Sequence, residues 1–161
     1  CCRDVICMAE IPISSDAFAE GERIPAQFSC GGENISPPLS WGDPPAGTKS
    51  LAVICDDPDA PSGLFTHWVL VNIPPNSRGL SGGVKKTPVL DDGSIHGANS
   101  YGKLEYSGPC PPPGRPHRYY FRIYALDIPL KLRSPADRRA VDNAMKGHIL
   151  AEGELLGIFS R

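Results

Sequence analysis

The stretch KSLAVICDDPDAPSGLFTHWVLVNI, residues 49–73, holds two apolar runs rich in β-branched residues, separated by an acidic turn that contains two prolines. Runs of this composition, bounded by turn residues, predict β-strands over residues 49–56 and 66–73. The second run ends at Pro74 and Pro75, which cannot donate the backbone hydrogen bonds of a continuing strand. No helical pattern of about ten residues lies between the runs, which argues against repeated βαβ units.

A third strand is predicted over residues 117–127, HRYYFRIYALD. Side chains of a strand alternate between the two faces of a sheet, and two sets alternate here. One set comprises Arg118, Tyr120, Arg122 and Tyr124, and the other comprises Tyr119, Phe121, Ile123 and Ala125. Residues 151–159, AEGELLGIF, predict either a last strand or a short second helix. The long glycine-containing segment 76–97 predicts a hairpin or a functional loop.

One helix is predicted in the last third of the sequence. Ser134 is a favoured N-cap residue, Pro135 suits the first helical position, and Asp137 suits the first turn. The helical spacing of apolar residues then continues through residues 138–148. The sequence therefore predicts a helix that begins directly after Ser134.

The composition excludes several classes of protein. The 161 residues include 17 glycines and 18 prolines, well above the usual combined share of about 12%. Because proline costs a helix interior about 3 kcal/mol, a helical bundle is excluded. A hydrophobic fraction of 40% and a net charge of −2 argue against disorder. No run of Lys or Arg reaches the density of a nucleic-acid surface, and the longest apolar run, residues 51–55, is far shorter than the roughly 20 residues of a membrane span.

The chain length predicts one domain. We expect residues 9–161 to form this domain and residues 1–8 to be an N-terminal extension outside the fold, with a lipid-bearing Cys1 as the alternative. No CxxC pair is present, so the ligand spacing of a zinc ribbon is absent. A disulfide between Cys30 and Cys110 is conceivable, but the spacing of the two residues does not decide it.

An acidic corner, residues 56–61, follows the first predicted strand. Its prolines fix the backbone and reduce the entropy lost on binding. His67 opens the next strand, so Asp57 or Asp59 is expected near its imidazole ring. A carboxylate in that place fixes the imidazole tautomer and favours its charged form. Taken alone, such an acidic corner is more typical of a turn, and a histidine at a strand start is more typical of a structural residue.

A second cluster, GPCPPPGRP at residues 108–116, leads into His117, with Tyr119 on the same face of the strand. If the two strand openings adjoin, His67 and His117 face each other across a small hollow. Two imidazoles together with backbone N–H groups near a glycine would suit phosphate, sulfate or carboxylate. The alternatives for the proline run are a plain linker and a ligand for a proline-reading domain.

Other kinds of site have less support. Neither a P-loop nor a G-x-G-x-x-G motif occurs. Two histidines and an aspartate could bind a divalent metal ion, but no further obvious ligand residue and no helical i,i+4 pair accompany them. We expect no metal ion and no cofactor.

Three ordered motifs stand out: NISPPLSW at residues 34–41, DPDAP and HWV at residues 57–69, and GPCPP and HRY at residues 108–119. Together they resemble the phosphatidylethanolamine-binding protein family, most closely its prokaryotic, Raf-kinase-inhibitor-like branch, and the likeness covers residues 13–159. The resemblance implies a mostly β fold, in which a central antiparallel sheet packs on a smaller sheet with Greek-key connections and a C-terminal helix.

The resemblance also implies an anion pocket at one end of the sheet. Carried over by motif position, its ligand-binding residues are Asp57, Asp59, His67, Gly108, Pro109, His117 and Tyr119. Phe65 falls where the family often places an aromatic residue at the pocket mouth, whereas Asp56 has no counterpart. The loop at residues 62–66 is shorter than in the animal lipid-binding and kinase-inhibiting members. Prokaryotic relatives that carry a cysteine like Cys110 often carry one like Cys30, so the resemblance raises a disulfide between them as an alternative to two thiols.

We therefore expect a cytoplasmic, non-enzymatic protein that binds a small anion through a phosphoryl or carboxylate group, such as a phospholipid head group or a phosphorylated group. We expect no nucleic-acid partner and no stable membrane insertion. One alternative is an inhibitor or regulator of a protein kinase or protease that acts through protein contacts. The other is a weak hydrolase that uses Asp and His as acid and base.

Overall fold

The computed structural model describes residues 9–161, so the predictions for residues 1–8, including a lipid-bearing Cys1, lie outside the described residues. Within the described range the chain forms nine β-strands, one 3-10 helix and one α-helix. In chain order these are β1 (Ala9–Glu10), β2 (Ile13–Ser14), the 3-10 helix (Ala26–Phe28), β3 (Leu39–Trp41), β4 (Ser50–Asp57), β5 (Phe65–Ile73), β6 (Gly79–Leu80), β7 (Ile95–His96), β8 (His117–Leu126), α1 (Arg138–Met145) and β9 (Ile149–Phe159). Across the same range, no helix combines the length and the apolar character needed to cross a membrane.

The nine described strands form two sheets. The large sheet has the order β1-β9-β8-β4-β5-β7, and the small sheet has the order β2-β3-β6. Neighbouring strands run antiparallel except β1 and β9, which run parallel. The connection from β5 to β8 crosses β4, so the order in the sheet departs from the order in the chain. The expected mostly β fold with two sheets and a C-terminal helix is confirmed, and the parallel edge strand β1 makes the large sheet mixed.

The long strands form where the apolar runs predict them. β4, β5 and β8 begin and end within one residue of the predicted bounds. Residues 151–159 belong to β9, which pairs with β8 along its length, so the alternative of a second helix is wrong. β9 contains Gly153, where a Cβ atom would lie 1.8 Å from the carbonyl oxygen of Ile11. The glycine is therefore needed for the N-terminal segment to lie against the sheet.

The helix begins three residues later than predicted. Asp137, not Ser134, is the N-cap residue, because its side chain accepts a hydrogen bond from the backbone N–H of Ala140 at 2.9 Å. Pro135 therefore precedes the helix instead of occupying its first position, and the helix ends before His148. Serine and aspartate are both favoured caps, so residue type alone does not choose between them.

The segment 76–97 contains two short strands that belong to different sheets. β6 pairs with β3 in the small sheet, and β7 pairs with β5 in the large one. The predicted hairpin is present in a minimal form, as an isolated antiparallel bridge between Val89 and Ile95. The segment therefore ties the two sheets together.

Two apolar clusters stabilise the fold, one on each face of the large sheet. The main core lies between the sheets and includes the buried aromatic side chains Trp68, Tyr106, Tyr119 and Phe121. The second cluster lies between the other face of the large sheet and α1, and includes Ile54, Val69, Val141 and Met145. β4 is buried along its whole length, which explains why its sequence is an almost continuous apolar run.

Asp56 holds α1 against the sheet. Its buried carboxylate accepts hydrogen bonds from the guanidinium group of Arg138 on α1, from Arg122 on β8 at 3.3 Å, and from the hydroxyl of Thr66 on β5 at 2.9 Å. A buried carboxylate is tolerated when cationic partners and hydrogen bonds satisfy it in this way. Asp56, which has no counterpart in the family motifs, is therefore a structural residue.

We predict that Asp56→Asn lowers the free energy of unfolding by about 3 kcal/mol, because the substitution leaves two guanidinium groups facing a neutral amide. Asp142→Asn is the matched control. Asp142 also binds Arg138, at 2.9 Å, but its side chain is half-exposed, so its loss should cost about 0.5 kcal/mol. Urea denaturation monitored by circular dichroism measures both values, and equal losses would contradict the structural role of Asp56.

Candidate functional site

A hollow of about 240 Å³ opens at the end of β4. β4 runs antiparallel to both of its neighbours, so its last residues lie beside the first residues of β5 and β8. The residues that line the hollow come from these three strand ends and from the loops around them. They are Asp57, Ala60, Pro61, Ser62, Phe65, His67, Tyr101, Cys110, Pro111, Pro112, His117 and Tyr119. The two strand openings adjoin and both histidines line one hollow, which is the condition under which the sequence suggests an anion site.

Asp57 orients His117. The Nδ1–H of the imidazole donates to Oδ2 of the carboxylate at 2.7 Å, and only 6% of the His117 side chain and 3% of the Asp57 side chain are exposed. The other carboxylate oxygen accepts the backbone N–H of Asp59 at 2.7 Å. These contacts fix the ring tautomer and leave Nε2 of His117 as the nitrogen available to a ligand.

His67 is oriented by a backbone carbonyl rather than by a carboxylate. Its Nδ1–H donates to the carbonyl oxygen of Ser107 at 2.8 Å, which again leaves Nε2 available. Burial lowers the pKa of His67 below its ordinary value, because desolvation disfavours the imidazolium form. His67 is therefore neutral at pH 7, and an anion bound beside it would favour uptake of a proton.

Tyr119 contributes a buried hydroxyl that makes no hydrogen bond of normal geometry in the described part of the chain, although the Asp57 carboxylate lies near it. Burial raises the pKa of this hydroxyl well above its ordinary value, so the group stays neutral and can donate. The ring lies between the two histidines, with ring centroids 5.3 Å from His67 and 6.5 Å from His117. An unpaired buried hydroxyl costs about 1–3 kcal/mol, and a bound ligand would remove that cost.

Two further aromatic side chains pack beside His67. The ring of Phe65 lies 4.9 Å from His67 and 4.8 Å from Tyr101, measured between centroids. Tyr101 is held in place by Asn99, whose side-chain oxygen accepts the backbone N–H groups of Tyr101 and Lys103. The hollow therefore has a polar floor formed by the histidines and an apolar aromatic side.

Asp59 does not orient a histidine, contrary to expectation. Its carboxylate forms a bidentate ion pair with the guanidinium group of Arg118, in which Nε donates to Oδ2 at 3.0 Å and Nη2 donates to Oδ1 at 2.9 Å. The carboxylate also accepts the Arg118 backbone N–H at 2.9 Å. These hydrogen bonds hold the pKa of Asp59 at about 2. Asp59 lies outside the lining of the hollow, and it fixes the acidic corner to the start of β8.

Gly108 and Pro109 also lie behind the hollow rather than in its lining. The Gly108 N–H, expected to help hold an anion, donates to the side-chain oxygen of Asn34 at 2.7 Å, and Pro109 has no N–H. A Cβ atom at position 108 would lie 2.0 Å from the carbonyl oxygen of Phe28. The glycine is therefore required for close packing of two loops.

The proline-rich segment 108–116 forms one wall of the hollow, with residues 108 and 109 as its base. A disulfide joins this wall to the loop that follows the 3-10 helix. Cys30 and Cys110 form a disulfide with a Cα–Cα distance of 5.4 Å, which confirms the pairing that the resemblance raised. The Cys30 backbone N–H donates to the carbonyl oxygen of Pro109 at 3.0 Å. Covalent and backbone contacts thus fix the wall at its base.

Sequence reasoning missed two residues of the site. Tyr101 lies in an irregular loop with no periodicity that would indicate a buried face. Ser107 acts through its backbone carbonyl, for which residue type carries no signal. In the described part of the chain, no group of three or more His, Cys, Asp and Glu side chains is arranged to hold a metal ion.

The comparisons with known proteins agree with the motifs. The family model described as phosphatidylethanolamine-binding protein matches residues 14–160. A UPF0098 protein of Methanothermobacter thermautotrophicus is 53% identical over 149 residues, which cover 92% of this chain and 98% of the relative. The crystal structure of CT736, a phosphatidylethanolamine-binding protein homologue from Chlamydia trachomatis, is similar with a TM-score of 0.85 and 38% identity, covering 94% of this chain and 98% of that one. YbcL of E. coli, described as a member of the mammalian family, has a TM-score of 0.88 and 31% identity, covering 95% of this chain and 99% of its own.

We predict that Tyr119→Phe stabilises the unliganded protein by up to about 1 kcal/mol, because it removes a buried hydroxyl that has no partner. Tyr106→Phe is the matched control. The hydroxyl of Tyr106 is equally buried but donates to the carbonyl oxygen of Phe28 at 2.6 Å, so its loss should destabilise the fold by about 1–2 kcal/mol. Urea denaturation checks both, and destabilisation by Tyr119→Phe comparable to that of the control would show that its hydroxyl is satisfied within the fold.

Proposed function

The chain belongs to the phosphatidylethanolamine-binding protein family, and we propose that it binds a small ligand through a phosphoryl or carboxylate group held between His67 and His117. Ligands of this chemistry include phospholipid head groups and phosphorylated groups. The hollow, at about 240 Å³, is below the usual range of about 300–1,000 Å³ for drug-sized ligands. A head group matches this volume better than a whole lipid does.

One observation carries the proposal. Three polar atoms that lack a protein partner among the described residues belong to side chains around one hollow: Nε2 of His67, Nε2 of His117 and the hydroxyl oxygen of Tyr119. Buried polar groups are nearly always hydrogen-bonded to protein or to ordered water, and the Tyr119 hydroxyl is a buried group of this kind. An anion oxygen could accept from all three donors, once the rings carry a proton at Nε2.

The charges around the site support an anion rather than a cation. The Asp57 carboxylate is already engaged by His117 and by a backbone N–H, and that of Asp59 is engaged by Arg118. Neither acid is left to bind a cationic group. Each imidazole becomes cationic by protonation, which an adjacent anion favours.

A second candidate function, hydrolysis, is favoured by the Asp57–His117 pair alone, since a carboxylate-oriented imidazole can act as a general base. We propose binding without turnover. The residues 79–83, GLSGG, match the letters of a nucleophile elbow, but Ser81 follows β6 of the small sheet and is absent from the lining of the hollow. Turnover of a phosphate or carboxylate ester that disappears in His117→Asn would contradict this part of the proposal.

The disulfide bears on location. Disulfides persist in oxidising compartments and are rare in the cytosol, with hyperthermophiles as an exception. The cytoplasmic location stays a prediction, and the Cys30–Cys110 bridge argues for an oxidising compartment instead. Thiol labelling of Cys110 in freshly lysed cells, compared with a chemically reduced sample, separates the two locations. Labelling before reduction indicates a reducing cytosol, and labelling only after reduction indicates an oxidising compartment.

We predict that His117→Asn weakens sulfate binding at least about tenfold, the effect of losing one charge-assisted hydrogen bond worth about 1.5–3 kcal/mol. The asparagine amide can replace Nδ1 as donor to Asp57 but cannot reach the ligand, whereas the longer His117→Gln restores a donor near Nε2 and should recover part of the affinity. His148→Asn is the control, because the Nδ1 of His148 also lies 2.7 Å from a carboxylate, that of Asp127, outside the hollow. Titration calorimetry measures the affinities, and equal affinity of His117→Asn and wild type would overturn the proposal.

We predict that sulfate affinity rises as pH falls from 8, by up to about tenfold per pH unit for each proton taken up. The pKa of His67 is lowered in the free protein and raised by the bound anion, so binding takes up a proton between those two values. Below the pKa of the free protein the imidazole is already charged, and the dependence should flatten. Sulfate stays a dianion over this range, and His67→Asn should remove the contribution of His67. An affinity independent of pH in the wild type would contradict the role of His67.

A further inference from the structure

The disulfide is both accessible and part of the proposed binding site. Cys30 is exposed, and Cys110 is half-buried in the wall of the hollow beside Pro111 and Pro112. A disulfide that serves only to hold a fold together is usually resistant to reduction, whereas exposed disulfides are the labile ones. Cys30 is therefore the more exposed residue of the two, which favours attack by a reagent in solvent at Cys30.

Arg161 makes the two sulfur atoms differ electrostatically as well. Its Nη1 lies 3.4 Å from Sγ of Cys110 and 4.0 Å from Sγ of Cys30. A guanidinium group beside a cysteine favours the thiolate form, and a stabilised thiolate leaves faster in thiol–disulfide exchange. Access and charge thus point to the same polarity, with attack at Cys30 and departure of Cys110.

We propose that the Cys30–Cys110 disulfide is a thiol-exchange site whose opening weakens anion binding in the adjoining hollow. A small thiolate forms a bond to Sγ of Cys30 while the Cys30–Cys110 bond breaks, and its electron pair leaves with Sγ of Cys110 as a thiolate beside Arg161. A second small thiolate then releases Cys30. The two small thiols are oxidised to their own disulfide, and the two cysteines receive the two electrons.

The wall beyond Cys110 depends on the bridge because it has few other connections. Its three successive prolines, residues 111–113, have no N–H to donate. Across residues 110–116 the described structure holds one backbone hydrogen bond, a long one of 3.5 Å from Gly114 to the carbonyl of Arg161. The segment before Cys110 is held differently, since Gly108 bonds to Asn34 and Pro109 to Cys30. Opening the bridge therefore loosens the exposed part of the wall, residues 112–116, which includes Pro112 of the lining. Buried Pro111 and the base of the wall stay in place.

The polarity of exchange is tested on the full chain with glutathione, followed by alkylation of free thiols and peptide mapping by mass spectrometry. Glutathione is expected on Cys30 and the alkylating group on Cys110. Arg161→Gln should slow the reaction roughly fivefold. Arg115→Gln, which removes an exposed arginine within residues 110–116 of the wall, should leave the rate unchanged. Glutathione attached to Cys110, or equal rates for both variants, would overturn the proposed polarity.

The coupling rests on the proposed function and is tested by sulfate titration of the oxidised and the dithiothreitol-reduced protein. Reduction is expected to weaken binding roughly fivefold, because the loosened wall must be ordered again on binding, with the far-UV circular dichroism unchanged. Cys110→Ser should reproduce the reduced affinity and lose all response to dithiothreitol. Equal affinities, or unfolding of the reduced chain, would overturn the coupling. Absence of sulfate binding in both forms would instead overturn the proposed function and leave the exchange chemistry to stand on the mapping.

Discussion

The position of β4 between β5 and β8 is the constraint on which the rest of the structure depends. Because both neighbours run antiparallel to β4, its end lies beside the beginnings of β5 and β8. Alternation along the strand then sends Asp56 and Asp57 to opposite faces. Asp56 joins α1 to the sheet through Arg138, and Asp57 orients His117 in the hollow. Two adjacent carboxylates thus serve the fold and the site separately.

The same strand end shows how stability and function divide the polar groups. Asp56 is satisfied by arginine and threonine, Asp59 by Arg118, and Tyr106 by a backbone carbonyl. Around the hollow, by contrast, the hydroxyl of Tyr119 is left without a partner among the described residues. Proteins keep such costs where a ligand later removes them. The rigid corner and the bridged proline wall hold the site open in advance, which lowers the entropy lost on binding.

Strand positions could be predicted from the sequence because the apolar runs end at prolines or acidic turns, and both signals are local. The histidine that hydrogen-bonds to Asp57 could not be predicted in this way. Proximity in the chain suggested His67, but the pairing of β4 with β8 brings in His117, 60 residues away. Gly108 was expected to offer its N–H to a ligand, yet the close approach of Phe28 decides its role. The start of α1 is not predictable from residue type for a similar reason, since Ser134 and Asp137 are both suitable caps and only the fold selects Asp137.

The excess of glycine and proline is now explained in part by position, because Pro61, Pro111 and Pro112 line the hollow. The central claim is that His67 and His117 both bind one anion through Nε2. Long-range 1H–15N NMR of the histidine rings at pH 7.5 tests it most directly. Saturating sulfate should convert Nε2 of His67 to its protonated form and shift Nε2 of His117, while the signals of His148 stay in place. Unchanged signals from His67 and His117 under saturating sulfate would contradict the account.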